Sequence, residues 1–311
     1  MIPYCASMIV PVQITDAMLV SCTVPEPAPG ETEWNAATAY TVGQVAIRTT
    51  THHKYKRLVA GTTPALPEAD IVNWLDIGAT LKWVQFDRKI GTQTTGPSPL
   101  TTVLRGGSAE GLALLELQGQ TARVRQYDKA ITDPAKVLVF ERTIDLDGLV
   151  VTDVYDWMFG TSEQKLNAVI TDLPGQYTSG DIEVTITSSG TVGIGVLAVG
   201  RSHSIGAVAY GAGAGIINRG KVNKDGFGGR EWRQGDWASR VTLPVIAERF
   251  DFPRIHRLLA KQRSTPCIYI GSELAEMEPL IVYGVYRDAY ITVSNYSILS
   301  YNLDIEGLSN T

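Results

Sequence analysis

Ile182-Glu-Val-Thr-Ile-Thr-Ser-Ser-Gly190-Thr-Val-Gly-Ile-Gly-Val-Leu-Ala-Val-Gly200 is the stretch that decides the fold class. Two β-type runs, 182–187 and 192–199, flank Ser189-Gly190, a dipeptide suited to a tight hairpin turn that needs a positive φ. Upstream, similar runs recur at 112–117, 122–127, 137–144 and 168–173, with Asp147-Gly148 as further turn punctuation. This rhythm predicts a jelly-roll-like β-sandwich over residues 91–205 and makes the chain mainly β.

Downstream, Asp251-Phe-Pro-Arg-Ile-His-Arg-Leu-Leu-Ala-Lys-Gln-Arg263 predicts the one main helix. Asp251 stands at the cap, Pro253 falls in the first turn where its missing N–H costs nothing, and Phe252, Ile255, Leu258 and Leu259 share a face that should pack on a sheet. Strand candidates around it (241–246, 267–271, 280–286, 290–293 and 297–305) give an α+β assembly unit over residues 206–311. At the other end, Val24-Pro-Glu-Pro-Ala-Pro-Gly30 restricts the backbone to extended and turn shapes, so residues 1–33 read as an arm and Pro-rich linker that can order on a neighbour. Residues 34–90 follow as a small aromatic-rich β module.

The chain has 311 residues, 27 Lys and Arg against 32 Asp and Glu, and a formal charge of −5. That balance lacks the basic field that drives sequence-independent nucleic-acid or anionic-membrane binding. Only 19% of residues are charged while 30 are glycine, which suggests many turns and large protein–protein contacts. Cys5, Cys22 and Cys267 are too few and scattered for a disulfide framework or a structural zinc site. No apolar run approaches the ~20 residues of a membrane span, and residues 1–10 lack a signal-peptide pattern, so assembly in the cytosol is the expectation.

Motifs for catalysis are weak. Gly200-Arg-Ser202-His-Ser204 lacks the final glycine of a nucleophile turn, and Gly211-Ala-Gly213-Ala-Gly215 has the wrong spacing for a dinucleotide loop. Asp145-Leu-Asp147-Gly148 and Lys224-Asp225-Gly226 lack the later bidentate acid of a calcium loop. His52 and His53 are adjacent on a strand, so their rings should point to opposite faces and cannot clasp one ion. Arg254, Arg257, Lys261 and Arg263 give the helix a basic face, whose ordinary fate is solvation. No enzyme activity, cofactor or metal is expected.

The aromatic pattern of the module is more informative: Trp34-Asn-Ala-Ala-Thr-Ala-Tyr40-Thr-Val-Gly43, then Tyr55, then Trp74-Leu-Asp-Ile-Gly78. It resembles the small chitin-binding-type carbohydrate modules over about 45 residues. The resemblance implies a compact three-stranded unit in which Trp34, Tyr40, Tyr55 and Trp74 are candidate carbohydrate-binding residues, stacking on pyranose rings through their π faces. The competing reading makes the same four residues a miniature core. Lys56-Arg57-Leu58-Val59 stands where those modules carry further aromatic residues.

The order of the whole chain, with Asp76-Ile-Gly78-Ala-Thr-Leu-Lys-Trp83-Val-Gln-Phe86-Asp87, the stretch ending at Gly200, and Thr265-Pro-Cys-Ile-Tyr-Ile-Gly271, resembles virion structural proteins of tailed bacteriophages. The resemblance implies a tail, neck or baseplate component located in the virion, a homo-oligomeric ring around the tail axis, and other tail or fibre proteins as partners. The alternative it leaves open is a receptor-recognition protein that grips host-surface glycan. Neither role calls for a membrane or a specific nucleic acid.

Overall fold

The computed structural model describes residues 5–146, 148, 153–159, 164–224 and 230–310. The chain opens with β1 (Cys5–Pro11) and β2 (Leu19–Cys22), and the small module contributes β3 (Val45–Arg48), β4 (His53–Arg57) and β5 (Trp74–Ala79). Next come β6 (Thr94–Pro97), β7 (Leu100–Arg105), β8 (Gly111–Gln118), β9 (Thr121–Tyr127) and β10 (Leu138–Asp145), followed by a short helix α1 (Val154–Phe159). Beyond it lie β11 (Ala168–Ile170), β12 (Asp181–Thr187), β13 (Thr191–Val208), β14 (Gly213–Asn218), β15 (Lys221–Lys224), β16 (Arg230–Arg233) and β17 (Trp237–Glu248). The main helix α2 (Phe252–Lys261) and β18 (Cys267–Ile270), β19 (Ile281–Val293) and β20 (Ile298–Asn310) complete the chain. Strand accounts for 51% and helix for 8%, so the fold is mainly β.

The organising element is β13. Its first half pairs with β6 and β8, and its second half with β1 and β17. Its residues 192–200 are all buried because both faces of the strand are covered, which is why the sequence there is almost continuously apolar rather than alternating. The sheet β11-β8-β13, with β6, lies against a second sheet, β10-β9-β12-β7-β2. Leu100, Leu104, Leu112, Leu114, Val124, Ile182, Val184, Ile194 and Val199 fill the space between them. Each such side chain contributes about 1.5–3 kcal/mol by leaving water.

Past Gly200 the same sheet curls into a barrel. The order β13-β1-β18-β19-β20-β17 returns to β13 through Ala207↔Ile246 and Val208↔Val245, and every pairing is antiparallel. Closure removes exposed edges from these six strands over the paired segment. Met8, Ile205, Val241, Leu243, Tyr269, Val282, Leu303 and Ile305 form the core together with Ile255 and Leu259 of α2. The helix therefore caps the barrel core. Tyr286 Oη donates to Leu259 O at 2.7 Å, and Tyr301 Oη donates to Ile205 O at 2.5 Å, which fixes the cap and the wall. At the crossing, a Cβ on Gly200 would lie 1.9 Å from Val10 O, so only glycine permits β1 and β13 to meet there.

Several expectations change. In the expected arm, residues 1–33, the described residues 5–33 are not detached: β1 is an internal barrel strand between β13 and β18, with Ala6, Met8 and Ile9 fully buried, and β2 joins the sandwich. A strand buried on both faces and bonded on both edges has no reason to leave its own chain. The boundary at 205/206 falls inside β13, so sandwich and barrel share one continuous strand. Ser189-Gly190 makes no hairpin: β12 and β13 belong to different sheets, and Gly190 does not have a positive φ, because a sheet-to-sheet crossing needs no mirror-image turn. The Gly-rich stretch after Tyr210, for which no strand was expected, contains β14 and β15. Asp251 makes no side-chain cap hydrogen bond and instead pairs with Arg254 at 2.9 Å.

Candidate functional site

The module is a three-stranded antiparallel sheet, β3-β4-β5, closed over one aromatic cluster. Tyr40, Tyr55 and Trp74 are 3%, 4% and 2% exposed, and Trp34 packs against them half-buried. Tyr40 meets the edge of Trp74 with ring centroids 5.0 Å apart, and its Oη accepts from Asn35 N–H at 2.8 Å. Burial pushes the Tyr55 phenol above its ordinary range, as expected for a phenol inside a core.

Arg57 completes the cluster. Its guanidinium lies 4.9 Å from the centre of the Trp74 ring and donates to Thr63 Oγ1 at 2.9 Å and Gly61 O at 3.2 Å. Likewise Arg48 covers Trp34 at 5.3 Å and is itself tied to Glu68 at 3.4 Å. Sugar stacking requires a solvent-facing ring face. Tyr40, Tyr55 and Trp74 have none, and Trp34 carries a guanidinium. The structure brings the four predicted residues together as a core and not as a platform. Sequence reading took Lys56-Arg57 for an absence of aromatics; the cation fills that place by lying on Trp74.

The module is fastened to the body through carboxylates of the Pro-rich linker. The Glu26 carboxylate accepts from Thr80 Oγ1 at 2.7 Å and Trp83 Nε1–H at 3.0 Å, and His52 Nδ1 lies 3.0 Å from it. His52 stacks on Trp83 at 4.1 Å, and its Nε2 lies 2.7 Å from Asp16. His53 turns instead to Asp76, at 2.7 Å. Glu31 is pulled both ways: burial raises its pKa, but N–H donors of Ala28 and Leu81 and the Lys54 ammonium outweigh it and hold the carboxyl below its ordinary value. Nothing in the spacing of Asp16, Glu26 and His52 announces this junction.

A second candidate surface is the sheet edge at β14 with the two-stranded ribbon that extends from it. β14 runs along β17 from Gly213↔Thr242 to Asn218↔Trp237, and the ribbon continues as β15 against β16, Lys221↔Arg233 to Lys224↔Arg230. Every residue from Arg230 to Arg233 is exposed, including Trp232 at 76%. Ile216 on β14 is also exposed, and among the described residues β14 bonds only to β17, so its other edge has no strand partner there. Phe250, 93% exposed, and Tyr296, 86% exposed, lie at the opposite end of β17, by the β19–β20 turn.

Gly200-Arg-Ser-His-Ser204 lies on β13 rather than on a nucleophile turn, and Gly213 and Gly215 lie on β14. Asp147 and residues 225–229, on which both calcium-loop fragments depend, fall outside the described residues. Among the described residues, no group of three or more His, Cys, Asp or Glu could hold a metal ion, and no helix is long and apolar enough to cross a membrane. The class defined by the fold is a mainly β protein that joins a sandwich to a barrel. No protein-family model, curated protein or solved structure matches the chain.

Proposed function

We propose that this protein is a non-enzymatic structural component of a tailed-phage virion, in the tail, neck or baseplate region, that oligomerises and docks other tail proteins or fibres. The observation that carries the assembly part is the β14–β17 hairpin with its β15–β16 extension. The β15–β16 pair is a two-stranded ribbon of its own, which is marginal in water, and it presents Trp232 to solvent; beside it β14, the edge strand of the large sheet, exposes Ile216 and has an edge without a strand partner among the described residues. A neighbouring subunit supplies what such a ribbon lacks: a partner for the edge and a cover for the aromatics. The virion assignment rests on the resemblance in chain order.

The receptor-binding alternative loses its main support, since the rings meant to stack on sugar are covered within the module. Size-exclusion chromatography with light scattering on the purified chain, with cryo-microscopy of the virion, tests the proposal. A defined ring or multimer and density in the particle are expected. A monomer at tens of micromolar that is absent from particles overturns it.

A further inference from the structure

Where the sandwich, the barrel wall and α2 meet, the surface folds into a cleft of about 510 Å³. Arg201 and His203 reach it from β13 just after the Gly200 crossing, Lys261 from the end of α2, and the turn Gly106-Gly107-Ser108 forms another wall. Val10, Met18 and Leu258 add apolar wall, which weakens solvent screening inside.

Among the described residues neither Arg201 nor Lys261 is ion-paired with a carboxylate, and Glu110 is an acidic neighbour of His203. Arg201 Nη2 reaches, among the described residues, Ser108 Oγ alone, at 3.4 Å. Among the described residues, Lys261 has no ion-pair partner and the His203 ring has no hydrogen-bond partner. The Gly107 and Ser108 amides likewise donate to no protein acceptor. Gln262 is 8% exposed and lines the same cleft; Cys267 Sγ contacts its side-chain oxygen at 3.9 Å, which leaves its amide N–H groups as donors. In a chain of net charge −5, such a concentration of unpaired positive groups and free donors is a local exception.

We propose that this cleft binds a phosphate-class oxyanion, held by Arg201 and Lys261 with the amides of the Gly106-Gly107-Ser108 turn and His203 as further donors. Guanidinium, ammonium and backbone amides approach from separate elements, which suits the several oxygens of a tetrahedral anion better than the two coplanar oxygens of a carboxylate. Cavities at the junction of structural units are common ligand sites. The site stands independently of any role in assembly.

Its electrostatics give a pH signature. Burial first, then the neighbouring charges of Arg254, Arg201 and Lys261, depress the His203 pKa below its ordinary value, with Glu110 acting in the opposite direction. A bound anion favours the imidazolium, so the His203 pKa rises on binding and affinity increases as pH falls.

Histidine ring resonances of the full chain, followed by NMR at constant ionic strength, provide the test. Inorganic phosphate should shift His203 saturably, while chloride at equal ionic strength should not. Arg201→Gln and Lys261→Gln should each weaken phosphate binding by about tenfold, the scale of one charge-assisted contact. A sulfate series, whose ligand charge is constant, should show tighter binding at lower pH. Adenosine monophosphate binding more tightly than inorganic phosphate identifies a phosphate ester as the occupant, and equal binding identifies the free anion. Equal His203 responses to chloride and phosphate overturn the site. So does unchanged phosphate affinity in both single variants with wild-type circular dichroism, or succinate binding as tightly as phosphate.

Discussion

Trp74 and Gly200 show how much a single position carries. Trp74 has Tyr40 at its edge and Arg57 on its ring, in a module whose core is only a handful of residues. Trp74→Ala should cost about 3–5 kcal/mol and melt this module first. Hydrogen exchange should then show lost protection in β3, β4 and β5 while β13 stays protected. Gly200→Ala places a methyl against the backbone of Val10, which cannot step aside without breaking the β1–β13 ladder. It should lower stability by at least about 1–3 kcal/mol in a denaturant titration. Cys267 and Tyr283 report burial differently. Desolvation pushes the thiol from 9.0 to about 12 and the phenol from 10.0 to about 12. Both groups stay protonated in the folded protein while the unfolded chain ionises, so they withdraw stability as pH rises from about 9 towards 12. Denaturation midpoints should fall across that window, and Cys5, which is exposed, should be alkylated at pH 8 well before Cys267.

At the scale of the element, α2 and the β14–β17 hairpin have opposite economies. The helix was legible because Pro253 in the first turn and the spacing of Ile255 and Leu259 agree, and those two residues are buried, although Asp251 makes no cap bond. What it packs into was not legible, since a barrel mouth and a flat sheet ask the same amphipathic face of a helix. Leu259→Ala should cost about 2–5 kcal/mol, read by thermal or chemical unfolding. Strand β14 was not legible because glycines at 211, 213 and 215 weaken any strand signal, while its bonding to β17 comes from residues some 25 positions away. The hairpin's exposed side chains contribute little to the isolated fold. The double variant Ile216→Ala, Trp232→Ala should therefore keep monomer stability within about 0.5 kcal/mol yet shift the oligomer toward smaller species in light scattering.

For the whole molecule, the recurrence of short apolar runs and turn residues was enough to determine a mainly β chain with one main helix, because side-chain periodicity is a local property. The same local reading placed Trp34, Tyr40, Tyr55 and Trp74 in one module, but whether a ring faces solvent or a guanidinium depends on what folds over it, and Arg48 and Arg57 decide that. Closure of the barrel was beyond reach: it joins residues 5–11 to residues 200–207 and 268–270, and such pairings leave no mark in a window of neighbours. The cleft at Arg201, His203 and Lys261 has the same origin, for its donors come from three distant segments that only the crossing of β13 brings together. Sequence by itself determined which segments become strands or helix; tertiary structure alone decided which strands pair, which rings are covered and which charges meet, because those depend on contacts between residues far apart in the chain.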